Sequence, residues 1–122
     1  MWNFRTARAL AVLAGLLGAA GIAAAALAAH GRYDDNLRTA SQFALIHAAL
    51  VAALCLSHAP GRSTVVASAV IMLGAALFCG DLTLRALAGH GLFPMAAPSG
   101  GTIMIGGWLL LSISALTSKY EG

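Results

Sequence analysis

The sequence predicts an all-α integral membrane protein: an antiparallel four-transmembrane-helix bundle, with residues 1–122 forming one domain. Three observations predict it. Of 122 residues, 60% are hydrophobic and 9% charged, against about 45–50% apolar and about 25% charged in an average soluble domain; the mean hydropathy is +0.86. Four uncharged runs, 9–29, 39–61, 63–80 and 86–118, have or approach the roughly 20 residues that cross a bilayer core of about 30 Å at about 1.5 Å per residue. The polar connections at 31–36 and 58–63 are short enough to set antiparallel neighbours side by side.

The first helix is expected at about 6–29, behind Arg5 and Arg8. It ends in a small-x-small pattern, Ala26-Leu27-Ala28-Ala29, as a secretory signal would. Its apolar run exceeds the roughly 7–15 residues of a signal core, so an uncleaved membrane helix is expected. The second helix, about 37–58, has Asp34, Asp35 and Asn36 as ready N-caps, and Pro60-Gly61 ends it. Ser63 or Thr64 is expected to cap the third, about 64–88. The last uncharged run is too long for one span and contains Gly89, Gly91, Pro94, Pro98, Gly100 and Gly101. These breakers put the fourth helix at about 99–118 and leave an apolar loop at the membrane surface or tucked between helices.

Helices in lipid associate where small side chains let backbones approach. Ala11, Gly15, Ala19 and Ala23 recur every four residues on the first helix, and Ala40, Ala44, Ala48 and Ala52 on the second. Both stripes read most simply as seams within the chain, with contact to another protein as the other reading. Gly100, Gly101, Gly107 and Trp108 are expected to pack the fourth helix.

An even number of spans puts both termini on one side. Arg5, Arg8, Arg62 and Lys119 share that side, against Arg32, Arg38 and Arg85 on the other, a distribution that points the termini to the cytoplasm. The seven basic residues form no stripe for nucleic acid, and none is expected as a partner. Six Arg to one Lys, with abundant Ala and Gly, suits a high-GC bacterial genome and hence the inner membrane. Cys55 and Cys79 lie inside uncharged stretches and read as space-filling thiols.

The polar residues that could carry chemistry are few. Asp81 is ionisable within a membrane segment, which costs several kcal/mol unless it is paired or reaches water. Arg85 stands four residues on, the favourable order for an ion pair along a helix. The pair reads as one that reaches the interface together, or as a proton or ion relay. His47 lies about eight residues into the apolar part of its helix, ~12 Å deep. It reads as a neutral imidazole bonded to a neighbouring helix, or as a contact to haem, copper or quinone. His30 and His90, each followed by glycine, read as helix-end residues near the same face as Asp81. No ligand set at metal spacing, no Gly-x-Ser-x-Gly and no phosphate-cradling loop occurs, so no metal, cofactor or enzyme activity is expected.

Several stretches together resemble the domain-of-unknown-function 423 family of small membrane proteins. Ala28-Ala29-His30-Gly31 is similar to the Gly-Ala-His-Gly that ends its first helix. Thr39-Ala40 and His47-Ala48-Ala49-Leu50 resemble its second-helix pattern, and Leu77-Phe78-Cys79-Gly80-Asp81-Leu82 its Leu-Phe-Ser-Gly-Ser-Leu helix. Pro98, Gly100, Gly101 and Gly107-Trp108 resemble its Thr-Pro-x-Gly-Gly and terminal Gly-Trp. The resemblance runs from about Leu10 to Leu116. It implies four membrane helices and assigns no reaction, because the family's activity is unassigned. Phe43-Ala44 stands where many relatives have Tyr-Gln. Cys79 and Asp81 replace family serines and Arg85 an apolar residue, so the resemblance implies that the ion pair belongs to this chain.

Scarce polar chemistry and abundant small residues favour a non-catalytic accessory or assembly subunit. Its expected partners are the lipid bilayer and other membrane subunits, those of a respiratory complex among them, or a second copy. The alternative is a binding or transport protein using His30, His47 and the Asp81/Arg85 pair for a metal, haem, quinone or proton.

Overall fold

The computed structural model describes residues 2–31, 35–58 and 60–117. These residues form four α-helices: α1 (Trp2–His30), α2 (Asp35–Cys55), α3 (Arg62–Ala88) and α4 (Ala96–Thr117). All four are long and apolar enough to cross a membrane. This is the expected all-α, four-helix architecture of a multi-pass membrane protein.

Several helix ends differ from expectation. α4 starts at Ala96 rather than near 99, with Pro98 in its first turn, where a missing N–H breaks no helical bond. Met95 precedes it at φ 68, and its carbonyl accepts the Ser99 N–H at 3.0 Å. α2 ends at Cys55, short of 58; just beyond, the Ser57 hydroxyl donates to the Leu54 carbonyl at 2.8 Å. α3 closes on Gly89, whose left-handed φ of 81 needs no side chain and whose N–H returns to the Arg85 carbonyl. Its N-cap is Gly61, which has no side-chain cap bond. Ser63 and Thr64, expected as caps, turn instead to Ser114 of α4, at 2.8 and 3.2 Å. Asp35 opens α2 as the acid of its first turn; Asp34, Lys119 and residues 32–33 and 120 lie outside the described residues.

α1 packs on α2, α2 on α3, and α1 also meets α3; the backbone of α4 approaches α3 alone. Two apolar clusters result. Near the termini, Ala7, Leu10 and Ala14 meet Val51, Cys55, Val65, Ile71 and Met72. Toward the other end, Ala40, Ala44 and Cys79 are packed by Leu17, Phe43, Phe78 and Leu82. The two thiols are free and buried.

Glycine decides the closest approaches. A methyl group on Gly74 would lie 2.6 Å from the Met104 nitrogen, and one on Gly100 would lie 2.6 Å from the Phe78 nitrogen. Both distances are shorter than real Cβ contacts allow, so α3 and α4 touch backbone to backbone. Gly107 is pressed likewise against Ile71, whereas Gly101 meets only the Phe78 ring at 3.8 Å. On α2 the expected seam is buried at Ala40, Ala44 and Ala48. On α1 it is not: the buried stripe is Ala7, Leu10, Ala14, Gly21 and Ala24, while Gly15 and Ala19 are exposed. A side chain at Gly15 would meet nothing within 4 Å. Of the stripe expected to pack inside the chain, Ala11 is half-buried against the core and Gly15, Ala19 and Ala23 face outward.

Candidate functional site

His47 and Trp108 meet in the middle of the molecule. Each stands twelve residues into its helix, about 18 Å from the α3–α4 connection face at about 1.5 Å per residue. His47 is buried. Its Nδ1 lies 2.7 Å from the Phe43 carbonyl one turn back, and its Nε2 lies 3.1 Å from the Trp108 indole nitrogen. An indole nitrogen only donates and a carbonyl only accepts. Nε2 must therefore accept and Nδ1 must carry the proton, which makes His47 a neutral imidazole with both nitrogens in use.

Aromatic rings enclose this pair. Phe43 stacks on the imidazole at 5.8 Å and 9°, Trp108 meets it edge-on at 5.9 Å and 77°, and Phe78 tilts against Phe43 at 4.9 Å. Beside them a cavity of about 320 Å³ is lined by Phe43, His47, Phe78, Gly101, Met104, Ile105 and Trp108. Ile105 and Trp108 are exposed on its outer side, so it opens toward lipid. A metal ion or a second proton at Nε2 would first have to displace the indole N–H.

The second polar centre lies near the end of α3. Asp81 is fully buried, and both carboxylate oxygens are engaged. Arg85 Nε donates to Oδ2 at 2.8 Å, and the Leu92 backbone N–H donates to Oδ1 at 2.8 Å. The Ala97 N–H, in the first turn of α4, faces the same carboxylate. Gly91 lies directly over the pair: a methyl group there would collide with Asp81 Oδ1 and the Arg85 guanidinium. Asp81 thus ties α3 to the connection and to the positive end of α4, where an anion is stabilised. Arg85 is 43% exposed and reaches out of the fold. The ion pair is the one expected at this spacing; the backbone donors that complete it have no sequence signature.

Neither His30 nor His90 is hydrogen-bonded to either centre among the described residues. His30 is exposed at the end of α1, and His90 is exposed in the α3–α4 connection, with its Nδ1 3.1 Å from the Gly91 carbonyl. Among the described residues, no three His, Cys, Asp or Glu side chains converge as a metal site would require. Trp108, expected to pack between helices, does so with one edge while 41% of its surface stays exposed. The hydroxyl cluster of Ser63, Thr64 and Ser114 was not foreseen; only the return of α4 alongside the start of α3 reveals it.

The family model described as protein of unknown function (DUF423) matches residues 17–101. That span includes His30, His47, Asp81, Arg85, His90, Gly100 and Gly101 and stops short of Gly107 and Trp108. No solved structure matches the chain.

Proposed function

The chain belongs to the DUF423 family, and from that premise we propose that it is a non-catalytic accessory or assembly subunit of a larger membrane complex. The observation that carries this reading is the outward stripe of α1. Gly15 and Ala19 are exposed and unused within the fold, and small residues on a lipid-facing helix are what a second helix needs for close approach. The interior supports the same reading. The imidazole of His47 and the carboxylate of Asp81 are each consumed by internal bonds, so these two centres hold the helices together. The membrane is the bacterial inner membrane and the termini are cytoplasmic. Arg5, Arg8 and Arg62 lie on the termini side against Arg38 and Arg85 opposite, and Arg5 and Arg8 stand at the start of the first helix to insert.

The cavity beside His47 favours a second reading, a small hydrophobic ligand such as a quinone seated between α2 and α4. Gentle-detergent purification of the tagged protein from its native membrane, with intact-assembly mass spectrometry and a scan for metal, haem and quinone, separates the two. A stoichiometric protein partner without a cofactor is the expected result. A partner-free chain carrying one of those groups overturns the subunit reading.

A further inference from the structure

α2 turns one narrow stripe away from the rest of the fold. Arg38, Gln42, Ile46, Ala49 and Ala53, in steps of three and four, are exposed, while Ala40, Ala44, His47 and Val51 face inward. The outward stripe carries one group that lipid cannot satisfy. Arg38 turns back along the helix to Asp35, 3.9 Å away, which sets the charged level at the first turn of α2. Gln42 lies seven residues beyond Asp35, about 10 Å deeper at about 1.5 Å per residue, and its two-carbon arm does not recover that depth.

The Gln42 side chain is exposed and makes no hydrogen bond to a described residue. Other exposed polar side chains of the spans satisfy themselves: the Thr102, Ser112 and Thr117 hydroxyls each donate to the carbonyl four residues back. An amide with neither protein nor water as partner is costly in hydrocarbon, and amides at such positions bond across to another helix. The amide also says which helix. It carries an acceptor oxygen and a donor nitrogen together, so two of them side by side complete each other with two reciprocal bonds. Two copies of one chain insert with the same orientation, and a two-fold axis along the membrane normal sets each residue opposite its own copy at equal depth. Gln42 then meets the partner's Gln42. Charge permits the approach, because Asp35 and Arg38 neutralise each other within each copy. Space permits it as well, because Ala49 and Ala53 further along the stripe are the small side chains that let two backbones close.

We propose that α2 is the self-association face of this protein: two copies pair in parallel along Gln42, Ile46, Ala49 and Ala53, locked by reciprocal Gln42 amide bonds. The surface does not depend on what the outward stripe of α1 contacts. In the test, full-length protein labelled at its amino terminus with donor or acceptor dye is mixed in phosphatidylcholine vesicles, and energy transfer is followed as lipid is added. Wild type should show a dimer that dissociates on dilution. Gln42→Leu should weaken that dimer at least about threefold, the average strength of one interhelical hydrogen bond in a membrane, while Ala19→Leu on α1 leaves it unchanged. A second measurement keeps the amide in place. Ile46→Cys should give a disulfide-linked dimer under a mild oxidant and Leu109→Cys should not, with wild type, whose own thiols Cys55 and Cys79 are buried, as the blank. A monomer at every dilution overturns the proposal and leaves the subunit reading standing. An undiminished dimer in Gln42→Leu, an equal loss in Ala19→Leu, or equal crosslinking from positions 46 and 109 each overturns it as well.

Discussion

The Trp108 indole N–H donates to Nε2 of His47 at 3.1 Å, and this bond joins two helices whose backbones do not approach each other. α2 and α4 flank α3, and the aromatic arm of Trp108 spans the gap at mid-membrane depth. The imidazole has both nitrogens engaged, Nδ1 within α2 and Nε2 by α4, which makes it a strut between helices.

That strut has a modest expected strength. Interhelical hydrogen bonds in membranes average about 0.6 kcal/mol and reach about 1.7 kcal/mol. A double-mutant cycle with His47→Phe and Trp108→Phe, read by reversible unfolding in mixed micelles, should return a coupling energy within that range. Nitrogen chemical shifts of labelled His47 should show the Nδ1–H tautomer and should change in Trp108→Phe.

Removing Arg85 alone from the Asp81–Arg85 pair should be worse than removing both partners. Arg85→Met leaves a buried carboxylate without its cation. Asp81→Asn leaves a guanidinium that is 43% exposed and still reaches water. The order of melting temperatures should be wild type, Asp81→Asn, then Arg85→Met, with the double variant above Arg85→Met. Gly91→Ala should resemble Arg85→Met, because its methyl group enters the space of the pair.

Glycine substitutions should divide by location. Gly74→Ala and Gly107→Ala drive a methyl group into the facing helix and should destabilise by about 1–3 kcal/mol, the usual cost of overpacking. Gly15→Ala meets nothing within 4 Å and should stabilise by about 0.5–1 kcal/mol through helix propensity. Thermal unfolding of the three variants in one detergent checks both signs.

The helices were legible because span length and charge exclusion are properties of each segment alone. The Asp81–Arg85 pair was legible for the same reason, being local to one turn. On α2, which is flanked by α1 and α3, Ala40, Ala44 and Ala48 of the alanine stripe are buried and Ala52 is half-buried. On α1 the same reasoning put Gly15 and Ala19 inside. In lipid both faces of a helix are apolar, so hydrophobic pattern cannot tell inward from outward. The buried residues Ala7, Leu10, Ala14, Gly21 and Ala24 follow steps of three, four and seven rather than four alone. What the sequence could not disclose is long-range pairing. His47 and Trp108 are 61 positions apart, and the Leu92 N–H that completes Asp81 is a backbone group that every non-proline residue carries.

The most direct test of the account asks whether the outward face of α1 touches protein in the native membrane. A photo-crosslinking residue at position 19 is compared with one at position 109, where Leu109 is 61% exposed on α4, and adducts are resolved by mass. The account predicts one discrete protein adduct from position 19 and none from position 109. No protein adduct from position 19, or the same adduct from both, would contradict it.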